Sequence, residues 1–264
     1  MNHLIRAGRV FFAIGIIGIG LQQFQYAEFR PVILPEWPVG LQGFAPGAYL
    51  TGLILIIAGL FLLLEKYAER TCLLLAGFFF AFFLIFHFAY LVFFNPNSFH
   101  LGSWTNALKE LAFAGGSLVM AGSWKNGHKP KDNRSPFFSK LERMIPVGRV
   151  FFSVMMIVFG IDHFIYTDFV ASLVPAWIPG HVFWTYFAAI ALIGSGIGII
   201  LKKTRRTVAL LTGIMLLLWL ILLHIPRAVA DPHMDKGNEV TSVFEALAYS
   251  GVAVVLAATN NKKI

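Results

Sequence analysis

The chain has 264 residues, 58 % hydrophobic and 13 % charged, with a mean hydropathy of +0.73 and a net charge of +8. So few charges do not cover a soluble globule, and the apolar residues come in helix-length runs, which is the composition of a polytopic helical membrane protein. The excess Lys and Arg sit in short loops between those runs, a topology signal rather than a nucleic-acid surface, and the single Cys72 excludes an intrachain disulfide, a CxxC pair, an iron–sulfur cluster and CxxCH haem attachment.

The fold class read from this pattern is all-α, with eight transmembrane helices. The predicted spans are 9–25, 47–64, 70–94, 104–124, 149–166, 182–201, 207–225 and 240–258, each near the ~20 residues that cross a hydrocarbon core. Arg6 and Arg9 before an apolar run resemble the start of a signal peptide, but no small-x-small cleavage site follows and the same segment recurs in mid-chain, so it reads as a structural helix. Proline-rich loops follow the first and fifth spans and are expected at the interface or dipping partly inward. The polar stretch 125–144 is the one clear boundary and is read as a cytoplasmic linker between residues 1–124 and 145–264.

The two halves are copies. Gly8–Gly40, GRVFFAIGIIGIGLQQFQYAEFRPVILPEWPVG, matches Gly148–Gly180, GRVFFSVMMIVFGIDHFIYTDFVASLVPAWIPG, without a gap, which marks an internal duplication. Both close on Pro-x-Trp (Pro35/Trp37 and Pro175/Trp177), and they differ at a polar pair, Gln22-Gln23 in one and Asp162-His163 in the other. Of the 21 Lys and Arg, only Arg30, Arg227 and Lys236 lie on the side away from the termini, with Lys109 inside a span. That asymmetry places both termini in the cytoplasm of an inner-membrane protein. Four helices per half then insert the two repeats in the same orientation. Gly194 to Gly198 offers a small-residue packing face.

Ionisable residues within spans cost about 2.5 kcal/mol or more each at a helix centre, so the few present are the candidates. They are His87, Lys109 and Glu110 in the first half and Asp162, His163, His224 and Glu245 in the second. The repeat aligns His87 with His224 and Glu110 with Glu245, and span order places all of them in the outer third of the membrane. His224 and Glu245 are expected within hydrogen-bond reach, as are His87 and Glu110. Lys109 is expected to snorkel outward on another face, and the loop histidine His100 to be solvated. The bland reading is a pair of hydrogen-bonded packing networks. The functional one is a His–carboxylate group exchanging protons with a hydrophobic substrate. A metal held by two imidazoles and a carboxylate has no spacing to support it, and bis-histidine haem ligation is a further alternative.

Gly160-Ile-Asp-His-Phe-Ile-Tyr with Val174-Pro-Ala-Trp-Ile-Pro-Gly180 resembles the first helix and loop of the DoxX-like family of four-helix membrane proteins. Trp104-Thr-Asn-Ala-Leu-Lys-Glu-Leu-Ala-Phe-Ala-Gly-Gly116 and Val240-Thr-Ser-Val-Phe-Glu-Ala-Leu-Ala-Tyr-Ser-Gly251 resemble its fourth helix. The first unit departs from the pattern, with Gln23 where the second has His163. The resemblance implies two fused four-helix bundles and, through a family member that is the small subunit of a thiosulfate:quinone oxidoreductase, quinone-linked redox chemistry. The expectation is a bilayer protein that holds a quinone or another hydrophobic ligand, and works with a redox partner protein as an oxidoreductase subunit. His163, His224, Glu245 and Asp162 are the catalytic candidates, and His87, Glu110, Gln23 and Trp177 the ligand-binding ones. The alternatives are a small-solute or proton-coupled transporter and a non-enzymatic scaffold.

Overall fold

Long apolar runs broken by Pro, Gly and short charged turns leave little choice but helix, because in hydrocarbon every backbone N–H and C=O must be satisfied within its own segment. The computed structural model describes residues 2–36, 40–41, 43–124 and 135–259. Among them every regular element is helical. We number the long helices α1 (Asn2–Tyr26), α2 (Ala45–Leu63), α3 (Ala68–Phe93), α4 (Thr105–Trp124), α5 (Gly148–Ile165), α6 (His181–Ile200), α7 (Arg205–Ala230) and α8 (Asn238–Ala258). Among the described residues, seven segments are long and apolar enough to cross a membrane, and α4 is the long helix that is not among them. Asn106, Lys109, Glu110 and a series of Gly and Ser dilute its apolar character, and nearly all of it from Ala107 to Ser123 is buried among the other helices. The predicted linker falls outside the described residues up to 134, as does Trp37. Within its remainder, Pro136–Arg143 forms a short helix.

Packing crosses the two halves. α1 packs most closely on α8 and α2, and α5 on α6 and α4, while α3 lies on α4, α7 on α8, and α4 touches α8. The contacts are made where side chains vanish. A Cβ on Gly8 would stand 2.6 Å from the Gly251 carbonyl oxygen, and one on Gly115 would stand 2.5 Å from that of Gly148. Backbone meets backbone at both crossings, as small residues allow between membrane helices. The small-residue face of α6 is used in part: Gly196 and Gly198 meet Ile157 and Val208, whereas Gly194 faces open space.

Hydrogen bonds tie the helix ends into two faces. At the face holding both termini, Arg9 donates to the side chain and carbonyl of Ser123 at 2.9 and 2.6 Å and lies over the Trp124 ring, and Arg205 donates to the Thr259 carbonyl at 3.1 Å. At the opposite, distal face, Lys236 pairs with Glu28 at 2.6 Å, and Tyr166 meets the Gly102 amide and His100. The loop after α1 dips inward: Phe29, Arg30, Val32, Ile33 and Leu34 are all buried. The matching stretch after α5 folds instead into the short helix Thr167–Ser172, with Phe169 66 % exposed.

Candidate functional site

The polar side chains gather at the distal third of the bundle, where α3, α4, α7 and α8 converge. α3 and α7 each carry a π-helical turn there, Phe83–Phe88 and Leu220–His224, containing His87 and His224 respectively. Such a turn inserts one residue into the helical ladder and is frequent at functional sites. In α7 it precedes Pro226, whose missing N–H and ring a regular α-turn does not accommodate.

His87 and Glu110 meet as expected. His87 Nε2 lies 3.2 Å from Glu110 Oε2, with both side chains sealed from solvent. The contact is close but not aligned as a hydrogen bond, so both Glu110 oxygens remain without a donor. Arg30 lies in the loop that dips inward after α1. Its guanidinium stands over the Tyr26 ring, 4.8 Å from the centroid, and its Nε and Nη1 have no partner. Burial pushes this guanidinium below its usual range, with the nearby Tyr26, Glu28 and Glu245 acting the other way.

The second half departs from expectation. Glu245 does not meet His224. Its Oε2 lies 2.7 Å from Lys109 Nζ, across the contact between α4 and α8. Lys109 therefore turns inward rather than snorkelling to the surface. Tyr249, one turn on from Glu245, donates to the Lys109 carbonyl at 2.9 Å and packs its ring against Phe113 at 4.9 Å. His224 Nδ1 is buried without a partner, in the field of Lys109 and of Arg227, and Arg227 itself pairs with Glu239 at 2.5 Å. The reason is register. The close approaches at Gly8–Gly251 and Gly148–Gly115 make Gly115 the counterpart of Gly251, which places Lys109 opposite Glu245 and Ala246 at the station of Glu110. A slip of one residue turns a side chain about 100° around a 3.6-residue helix, enough to move Glu245 from the His224 side to the α4 side.

Asp162 and His163 lie apart from this group, at the distal end of α5. Asp162 is 9 % exposed and its Oδ1 has no hydrogen-bond partner. His163 is half-buried, with Nδ1 held 2.7 Å from the Phe159 carbonyl. Their first-half counterparts serve packing. Gln22 donates to the Gly237 carbonyl and accepts from Thr241, both at 3.0 Å, and Gln23 accepts from Thr51 at 2.9 Å while its Nε2 has no partner. Among the described residues, no hydrogen bond or ion pair joins Asp162 or His163 to His224 or Glu245. Trp177 is 64 % exposed, with no hydrogen bond or ring contact to any of the four.

A family model for a domain of unknown function (DUF8561) matches residues 152–243, from α5 into the first turns of α8. No curated protein and no solved structure matches the chain.

The matched segment holds Asp162, His163 and His224 and stops short of Glu245. Among the described residues, no group of three or more His, Cys, Asp or Glu side chains converges as metal ligands do. The sequence reading missed Lys109 as the partner of Glu245, Tyr249 as the second tie across the same contact, and the buried Arg30. A signal existed for Lys109, since a Lys inside a span needs an acid or an exit to the headgroups. No local pattern distinguishes the two.

Proposed function

We propose that the chain is a multi-pass inner-membrane protein of eight spans, built as two parallel DoxX-like repeats with both termini in the cytoplasm. In this reading it binds a quinone or another hydrophobic ligand at the distal end of α5. The repeat assignment is supported by matched contacts: Gly8 on Gly251 with Gly148 on Gly115, and Gly59 against Ala13 and Ile17 with Gly196 against Ser153 and Ile157. Those residues correspond position for position along the duplicated sequence. As α4 is enclosed by other helices, with Lys109 paired to Glu245 and Glu110 set against His87, it needs less hydropathy of its own to span.

The observation that carries the functional reading is the Asp162–His163 pair. His163 spends Nδ1 on its own helix, which leaves Nε2 free on a half-exposed ring, and Asp162 beside it keeps an unpartnered oxygen. A free imidazole nitrogen on a half-exposed ring, with the Asp162 carboxyl one position back around the helix, on a surface rich in exposed Phe164, Phe169, Trp177 and Phe183, suits a flat apolar ligand with a carbonyl or hydroxyl group that accepts or gives a proton. Electrons for any redox step come from a partner protein. The test is extraction of the detergent-purified protein and identification of bound small molecules by mass spectrometry. A quinone retained by the wild type and lost in His163→Ala supports the reading. A wild type that retains none, and takes up none when it is offered, overturns it.

A second reading, a proton-coupled transporter, draws on a different observation. Lys109–Glu245 is a buried pair where helices of the two halves meet, and His87–Glu110 is a buried pair between α3 and the same helix α4 within the first half; intramembrane charge pairs at such a seam are where proton-coupled rearrangements are driven. Proton-gradient-dependent flux in liposomes, lost in Glu110→Gln, is its test.

A further inference from the structure

Arg30, Arg227 and Lys236 are the basic residues of the distal face. Two of them have acids: Arg227 pairs with Glu239, and Lys236 with both oxygens of Glu28. Arg30 has no such partner among the described residues. It is 2 % exposed, and its Nε and Nη1 are buried without a hydrogen bond. A long side chain at the edge of a membrane ordinarily carries its charge out to water. This one is drawn in.

The chain fixes it there. α1 ends at Tyr26, and Ala27 takes a left-handed backbone, φ 52°, that turns the chain back. A residue other than glycine is uncommon in that region and is held there by its surroundings. The Arg30 carbonyl then accepts the Ile33 and Leu34 amides at 2.8 and 3.1 Å, which closes the tuck. Phe29 lodges against the start of α2, where a Cβ on Gly47 would stand 2.9 Å from its ring. Tyr26 covers one face of the guanidinium with its ring, 4.8 Å from the centroid, and its hydroxyl reaches the Pro232 carbonyl at 3.5 Å. The N–H donors of a guanidinium lie in its plane, so this cover leaves them open to an acceptor. In the second copy Tyr166 and Asp168 match Tyr26 and Glu28, but Val170 stands at the station of Arg30. The cation belongs to the first copy alone.

We propose that Arg30, held against Tyr26 by the tucked loop, is the binding point for a phosphate group brought by a ligand from outside the chain. Beyond the end of a spanning helix lie the headgroups, where the abundant oxyanion is phosphate, and a guanidinium offers it charge and several donors together. The phosphate accepts from the nitrogens that lack an acceptor. It supplies the negative charge that Glu28 and Glu245, each spent on a lysine, do not. Release of the tuck, which the two turn hydrogen bonds close, admits it. A lipid headgroup and a free phosphate compound share this chemistry. The site lies at the end of α1, and the inference does not depend on the ligand reading at the end of α5.

The experiment is native mass spectrometry of the full-length protein, stripped of lipid in detergent and titrated with inorganic phosphate or with phosphatidylglycerol. Wild type is expected to carry one more adduct than Arg30→Met with at least one of the two probes. Its half-saturation is expected to be about tenfold or more lower, the scale of a lost hydrogen bond to a charged group. An Arg30-dependent adduct of inorganic phosphate assigns the site to a free phosphate compound, and one of phosphatidylglycerol alone assigns it to a lipid. Arg30→Lys keeps the charge without the planar donors and is expected to fall between wild type and Arg30→Met. Lys203→Gln, on the opposite face, is expected to leave the Arg30-dependent adduct in place. Unfolding temperatures of the same samples show that each variant is folded. Equal uptake of both probes by wild type, Arg30→Met and Arg30→Lys overturns the inference, and so does a wild type that takes up neither.

Discussion

Lys109 and Glu245 face each other across the contact between α4 and α8, with Nζ and Oε2 2.7 Å apart and little of either side chain reaching solvent. Each stands at the other's corresponding position in its own half, so the pair locks two related helices together with opposite charges. Removing one partner strands the other. Lys109→Met or Glu245→Gln is expected to cost about 3–5 kcal/mol, as breaking buried pairs does. The exchanged double variant Lys109→Glu/Glu245→Lys is expected to recover most of it. Thermal unfolding in detergent reads this directly: a double variant no more stable than either single one excludes direct pairing as the source of the stability.

The helical segments were legible because apolar runs end at Pro, Gly and charge, and the duplication was legible because α1 and α5 match without a gap. The side of α8 on which Glu245 stands was legible but missed: Thr105/Thr241, Leu111/Leu247, Ala112/Ala248 and Gly115/Gly251 align at one offset, which sets Lys109 at the station of Glu245. Between the copies the connecting loops differ in length, so matching Glu110 to Glu245 by identity puts α8 out of register with the backbone contacts at Gly115 and Gly251. An inward dip was among the expectations for both proline-rich loops, but that only Phe29 to Leu34 would take it was out of reach. Its copy, Phe169 to Val174, has a similar apolar content but winds into a helix and stays partly exposed.

Backbone contact predicts steep size dependence. Gly148→Leu must displace the Gly115 carbonyl, 2.6 Å from the new Cβ, and is expected to cost about 1–3 kcal/mol or more, as overpacking does. Gly194→Ala, on the same small-residue count, meets nothing within 4 Å and is expected to be neutral or to gain a few tenths to about 1 kcal/mol of helix propensity. Equal effects in the two variants would show that close approach is not what selects glycine at 148.

Arg30 offers a test with the opposite sign. It is 2 % exposed with two guanidinium nitrogens unpartnered. A buried cation with no carboxylate hydrogen-bonded to it loses hydration that the more distant Glu28 and Glu245 offset only in part. Arg30→Met keeps the stem and removes the charge, so it is expected to raise the unfolding temperature, by about 2–4 °C for each kcal/mol regained in a chain of this size. A fall in unfolding temperature would place a compensating anion beside Arg30 in the purified protein.

Register can be tested by building what the second half lacks. His87 has Glu110 at 3.2 Å, whereas in the second half Ala246 stands at the station of Glu110 and His224 lies one residue beyond the station of His87. Ala246→Glu adds a buried carboxyl and is expected to destabilise the protein in isolation, but less when His224 is present to face it. A double-mutant cycle between Ala246→Glu and His224→Ala is expected to give a favourable coupling of about 1 kcal/mol or more, within the range for residues in contact. The same cycle with Glu245→Gln in place of Ala246→Glu is expected to give a weaker coupling, because Glu245 is spent on Lys109. If the second coupling is the larger, Glu245 faces His224 and the sequence alignment of the two glutamates is right. If the first is, α8 is in the register that the glycine contacts set, and Glu245 is spent on Lys109.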